Sequence, residues 1–194
     1  MKILITGFEP FGGSDINSSW EVAFRLAHQD INSADIRVEQ LPVSFSRAGE
    51  IIRNLIKVHK ADVLIMLGQR GGGKSIDIER ISVNMMDASK PDNDGCCPQE
   101  QMICPKGNAA YFSNLPVKIL RDALLQKNIP AKVSNSAGLY VCNSTYYHAL
   151  NEIFEQRLKT KAVFVHLPKI SNEFSLDFLT ESVETIIKMI IDNI

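Results

Sequence analysis

"ADVLIMLGQRGGGKSIDIERISVN", residues 61–84, offers a choice between two folds. The apolar run Val63–Leu67 reads as a buried strand, and Gly68–Ser75 after it matches the phosphate-binding pattern G-x-x-x-x-G-K-[ST]. That pattern works because a helix begins at its lysine and aims free amides and a positive dipole end at the anion. The segment after Lys74 is instead rich in β-branched residues, with Ile76 and Ile78 in one alternating phase and Ile81, Val83 and Met85 in the other. We read residues 75–86 as strand with a break in phase. The glycine-rich segment then becomes a connection that lets backbone approach a ligand or another strand closely. No later strand ends in the acidic residue that helps to hold magnesium, since the best late candidate ends in "VFVHLP". Nucleotide binding is set aside on these grounds.

The same alternation of short apolar runs and helical spacing extends in both directions. "KILITGF" (2–8), "DIRVEQLPV" (35–43), "IPAKVSNS" (129–136) and "KAVFVHLP" (161–168) read as strands. Helices are expected from Trp20 to His28, from Ala48 to near Lys60, over residues 115–128 and over residues 142–158. A last helix starts near Ser175 and carries Leu179, Val183, Ile186, Ile187, Ile190 and Ile194 on one face. "DASKPDNDGCCPQ" (87–99) is dense in turn residues and reads as a loop. Such repeated alternation implies one α/β domain over residues 1–194, with a mainly parallel central sheet covered by helices on both sides. Ligands of such sheets bind beyond the carboxyl ends of the strands. The segments "GFEPFGG", "GQRGGGKS", "SNSAGLYVC" and "VHLP" therefore carry most of the functional weight.

Composition narrows the partners. The chain of 194 residues is 45% hydrophobic and 22% charged, with a formal net charge of −1 and both signs scattered along it. It has no basic patch of the kind that nucleic acid or an anionic membrane requires. "MKILITGF" is too short for a signal-peptide core, and no run approaches the roughly 18 apolar residues that span a bilayer. The four cysteines, Cys96, Cys97, Cys104 and Cys142, are too few for a secreted disulfide scaffold. No histidine lies near the adjacent Cys96 and Cys97 to complete a zinc-type cluster, so we expect no metal, and free thiols in a reducing cytoplasm.

Cys142 stands at the seam between a loop of small residues (Ser134, Ser136, Ala137, Gly138) and a helix. A helix start favours thiolate over thiol and supplies backbone amides for a developing oxyanion. An inert thiol packed under the helix suits the same position, and sequence physics alone leaves both readings open. A thiol nucleophile needs a base. His28 and His59 lie on helices where a solvated face or a C-terminal dipole explains them. His148 is six positions beyond Cys142 on the same helix, roughly 240° around its axis. His166 closes the strand "AVFVH", at the sheet edge where ligands gather. Asp77, Glu79 and Asp87 are candidates to orient its imidazole. Glu79 interrupts an apolar alternation, which fits either an inward carboxylate or a surface pair with Arg80.

At these residues the chain resembles the pyroglutamyl peptidase I (pyrrolidone-carboxylate peptidase) family nearly end to end. "GFEPFGG" with "NSSW" resembles the family's opening, "GQRGGGKSIDIERISVN" its glutamate signature and "IPAKVSNSAGLYVCN" its cysteine signature, with "PDNDG" and "AYFSNLP" in order between them. The resemblance implies a three-layer α/β/α sandwich of the phosphorylase/hydrolase-like kind. It also implies a cytosolic thiol exopeptidase that removes N-terminal pyroglutamyl residues from peptides, without cofactor or metal, as a homo-oligomer. By it Cys142 is the nucleophile, His166 the general base and acid, and Glu79 the residue that orients the imidazole. Phe8, Phe11, Asn17 and Gln69 resemble the family's lactam pocket, with Tyr140 and Val141 beside the thiol. Departures from the pattern are Ser18 for proline, Arg70 for alanine, Lys74 for arginine, Ser82 for alanine, and Ser89 followed by Lys90 where many members carry an arginine. Two other readings stay open: a related Cys–His amide hydrolase or deamidase whose pocket has shifted, and, on account of Ser89, a catalytically silent binder of lactam-capped peptides or a partner chain.

Overall fold

The computed structural model describes residues 1–193; Ile194, assigned above to the apolar face of the last helix, lies outside them. Four strands run in one direction: β1 (Lys2–Phe8), β2 (Asp35–Leu41), β3 (Val63–Arg70) and, numbered in chain order, β8 (Lys161–Pro168). Two short strands run against them, β4 (Ile76–Glu79) and β7 (Ala131–Ser134), parallel to each other. The sheet order is β2-β1-β3-β8-β4-β7, so β4–β8 is the one antiparallel junction among the described strands of this sheet. A separate two-stranded ribbon pairs β5 (Ile81–Val83) with β6 (Ala110–Phe112).

Period-two alternation sorts the strand residues between two cores. Ile3, Ile5, Val63, Ile65, Leu67, Ile76, Ile78, Val163 and Val165 pack with α1 (Ser18–Leu26), α3 (Val117–Gln126) and α5 (Leu176–Asn193). Leu4, Leu64, Met66, Ala162 and Phe164 pack on the other face with α2 (Ala48–His59) and α4 (Val141–Glu155). The result is a three-layer α/β/α sandwich with a mostly parallel sheet, the architecture that the alternating pattern implied.

Two local readings need correction, and one strand has no reading from the sequence at all. The segment read as one strand over residues 75–86 splits at Arg80, with β4 in the main sheet and β5 in the ribbon. The alternation changes phase there: Ile76 and Ile78 are buried in the main core, whereas in β5 Ser82 is buried and Ile81 and Val83 are only half-buried. Helix α1 begins two residues earlier than expected, at Ser18, because the Asn17 side chain accepts the Ser19 amide at 3.0 Å and caps it there. Strand β6, only three residues long, is too short to show a period in the sequence. The segment after Lys74 is indeed strand, so Gly68–Ser75 has no helix to present to a phosphate.

The β1–α1 connection depends on Gly7. A Cβ there would lie 2.5 Å from the Ser19 carbonyl oxygen and 2.7 Å from Trp20 Cα, contacts with backbone that cannot rotate away. Gly7→Ala is expected to lower unfolding free energy by about 1–3 kcal/mol, read from the urea midpoint at unchanged m-value; an unchanged midpoint would show that α1 shifts freely.

Candidate active site

Strand β8 turns Val163, Val165 and Leu167 toward one core and Ala162, Phe164 and His166 toward the other, which sets the imidazole on the α2/α4 face. Strand β4 alternates likewise, with Ile76 and Ile78 on one side and Asp77 and Glu79 on the other. Glu79 is fully buried, and His166 is 5% exposed. His166 Nδ1 lies 2.8 Å from Glu79 Oε1, so the inward reading of Glu79 holds and the pair with Arg80 does not form. The hydrogen bond at Nδ1 leaves Nε2 as the ring's other polar atom. Phe164 packs on the imidazole at a centroid distance of 4.8 Å and Tyr146 on Phe164 at 5.7 Å. Gly68, on the neighbouring β3, leaves the space they occupy. A Cβ there would come within 2.8 Å of the Phe164 ring and 3.1 Å of His166 Cδ2.

Cys142 is the second residue of α4. The N-cap residue, Tyr140, makes no side-chain capping bond, so no side chain competes for the amides of the first turn. Gly138, at φ +77°, turns the loop just ahead of it. Burial opposes a charge on His166, but hydrogen bonds to Cys142 and Glu79, and the charges of both, outweigh it and raise the imidazole pKa from 6.5 to about 9.

Cys142 and His166 open onto one cavity of about 290 Å³ at the carboxyl ends of the parallel strands. Phe8, Phe11, Asn17, Gln69, Tyr140 and Val141 line it as well; Glu79 stands behind the imidazole rather than on the wall. Sequence reasoning missed Val43 as a wall residue, although its place just beyond β2 was the available signal. Arg70, a departure from the family pattern, also stands on the wall.

The two amides of the pocket differ. Asn17 Oδ1 accepts from the Ser19 amide and hydroxyl, and its Nδ2 donates to the Glu9 carbonyl, so Asn17 shapes the wall. Gln69 Oε1 accepts the Ser18 amide at 2.9 Å, which leaves its Nε2 as the free end. That bond needs the N–H of Ser18, which a proline lacks. Asp92 receives the Phe45, Asp94 and Cys96 amides and Tyr140 donates to the Pro91 carbonyl, tying the loop 91–96 to the rim. Ser89 and Lys90 are exposed and off the wall.

The remaining histidines stand elsewhere. His28 bonds the Phe24 carbonyl, His59 pairs with Glu39, and His148 packs against Gly49 with its pKa lowered to about 4 by burial and by Arg53. A larger cavity, about 830 Å³, lies at the amino ends of the strands between residues such as Ala61, Glu152 and Lys161, and has no cysteine or histidine on its wall. Among the described residues no group of three His, Cys, Asp or Glu side chains is arranged to hold a metal ion, and no helix is long and apolar enough to cross a membrane.

The pyroglutamyl peptidase family model matches residues 1–193 of the chain. A pyrrolidone-carboxylate peptidase of Thermococcus kodakarensis is 42% identical over 100% of this chain and 98% of its own length. One from Thermococcus onnurineus is 45% identical over 97% and 94%. Among solved structures, the pyroglutamyl peptidase I of Bacillus amyloliquefaciens superimposes with a TM-score of 0.92 at 36% identity, covering 97% of this chain and 93% of that one. A mutant pyrrolidone carboxyl peptidase of Pyrococcus furiosus does so with a TM-score of 0.95 at 35% identity over 100% of both.

A folded-state pKa above the unfolded value means that His166 stabilises the protein fully below about pH 6.5 and loses that contribution as pH rises through about 9. Urea unfolding at pH 6, 7.5 and 9.5 should show stability falling across this window, and Glu79→Gln should reduce the fall. Identical slopes in both proteins would mean that Glu79 does not hold the proton.

Proposed function

The chain belongs to the pyroglutamyl peptidase family, and we propose that it removes N-terminal pyroglutamyl residues from peptides with Cys142 as nucleophile, His166 as general acid and base, and Glu79 as the residue that positions the imidazole. The observation that carries these roles is the meeting of Cys142 and His166 on one cavity, with Glu79 bonded to Nδ1 from behind.

In this scheme the Cys142 thiolate attacks the carbonyl carbon that joins pyroglutamate to the next residue. The oxygen takes up the negative charge, facing the uncapped first-turn amides of α4. As the C–N bond breaks, Nε2 gives its proton to the departing amine and the acyl group remains on sulfur as a thioester. Water then gives a proton to Nε2 and adds to the thioester, the C–S bond breaks, and pyroglutamate leaves with the thiolate restored.

Phe8 and Phe11 offer apolar walls to the ring, and Gln69 Nε2 offers a donor to the lactam carbonyl. An open-chain residue with a charged amine would leave that charge unpaired against the same walls, which is the basis of discrimination. A peptide enters by its blocked end only, since the cavity is small. The four free cysteines suit a reducing, cytoplasmic compartment. Phe112 (66% exposed), Phe154 (59%) and Leu158 (37%) suit a homo-oligomer that covers them.

Cys142→Ala should cut turnover of a pyroglutamyl-amide reporter by at least about 10³-fold with folding intact. Glu79→Gln should lower kcat by roughly 10²–10⁴-fold with little change in KM. Persistent turnover in Cys142→Ala would contradict the assigned nucleophile. Turnover of other capped amides, with none of pyroglutamyl substrates, would point to a shifted pocket.

A further inference from the structure

The antiparallel register of β4 and β8 places Asp77, not Glu79, opposite His166; Glu79 is opposite Phe164. Both carboxylates alternate onto the same face of the sheet as the imidazole, so two acceptors compete for one N–H. Asp77 is nevertheless turned away. Its Oδ2 receives Arg70 Nη1 at 2.6 Å and lies 3.5 Å from Lys132 Nζ, while its Oδ1 receives the Ser75 hydroxyl at 2.7 Å. The Asp77 side chain is 2% exposed, whereas that of Arg70 is 42% exposed and forms part of the cavity wall beside Cys142 and His166. The same Nη1 is 4.0 Å from Glu79 Oε1, and Glu79 Oε2 has no hydrogen-bond partner among the described residues.

We propose that Arg70 and Asp77 form a positioning pair: the guanidinium balances the carboxylate that lies opposite His166 in the register and holds it off the imidazole, so that Glu79 alone takes Nδ1. The groups that act on the ring are Glu79 of β4 and Cys142 of α4; Asp77, opposite His166 in the register, is held by Arg70 of β3 and the Ser75 hydroxyl, with Lys132 of β7 beside it. Without Arg70 the imidazole faces two acceptors and an unbalanced negative charge. It then holds its proton to higher pH and spends part of its time turned to Asp77, with Nε2 no longer aimed at the thiol or the leaving amine. Neither Arg70 nor Asp77 takes or gives a proton in the reaction; both act through His166.

The inference rests on the catalytic roles proposed above, and a double-mutant cycle separates the two. Wild type, Arg70→Ala, Arg70→Lys, Asp77→Asn and the Arg70→Ala/Asp77→Asn double variant are compared by kcat, KM and the pH dependence of kcat/KM, with thermal unfolding to check each fold. Arg70→Ala should lower kcat about tenfold, leave KM within about twofold, and move the alkaline limb of kcat/KM to higher pH. Arg70→Lys should recover part of the loss, and the double variant should recover most of it, because no second carboxylate remains to be restrained. A loss in Arg70→Ala that is as large in the Asp77→Asn background, or an unmoved alkaline limb, would overturn the pair while leaving Cys142 and His166 in place. Full turnover in Cys142→Ala would instead strike the catalytic assignment itself.

Discussion

A buried hydrogen bond between His166 Nδ1 and Glu79 Oε1 is the constraint around which the active end of this molecule is built. A carboxylate with no exposed surface is unfavourable unless a positive or hydrogen-bonding partner compensates it. The imidazole is that partner, and it gains in turn a fixed tautomer and a firm hold on its proton. Removing one partner from such a pair typically costs roughly 3–5 kcal/mol, because a lone charge is left inside. The fold accordingly fixes both partners on strands rather than loops. Strand β4 runs against β8 so that an alternating position brings Glu79 within reach, and Gly68 withholds a side chain from the space that Phe164 and His166 fill.

Only then does the thiol need placing. Helix α4 starts at the carboxyl edge of the sheet, with its N-cap contributing no side-chain acceptor, so Cys142 arrives on the same cavity as His166 with no side chain on its first-turn amides. In the proposed reaction this sets negative charge beside the imidazole and a positive dipole end where negative charge would develop. The pocket obeys the same economy of polar groups. Asn17 commits its amide to capping α1 and bracing the Glu9 carbonyl, while Gln69 commits only its Oε1 end, to the Ser18 amide.

The layer order and the position of the site were legible from the sequence because they depend on patterns longer than one turn or one pleat. The runs at residues 2–8, 63–67 and 161–168 and the periodic faces of α2 and α5 left little freedom in the sheet's core. Cys142 is a candidate from its helix start and His166 from its strand end, with an inert thiol still open until the family resemblance is weighed. Their meeting could not be read in this way, because it depends on β8 lying beside β3, a long-range pairing that no local period encodes. Glu79 was ambiguous for a related reason: a carboxylate in a strand is equally compatible with solvent and with a buried partner until the opposite strand is known. The break at Arg80, the three-residue strand β6 and the restraint of Asp77 by Arg70 all hang on single contacts below the resolution of a hydropathy pattern.

The central claim is that Cys142 and Glu79 together keep the imidazole protonated well above its ordinary range, with Glu79 holding Nδ1 from behind. Nitrogen-15 NMR of the His166 ring across pH 5 to 10, in wild type and in Glu79→Gln, tests it most directly. The expected result is an imidazolium that persists to about pH 9 in wild type, with a lower midpoint once Glu79 loses its charge. A His166 that titrates near 6.5 in both proteins would contradict it.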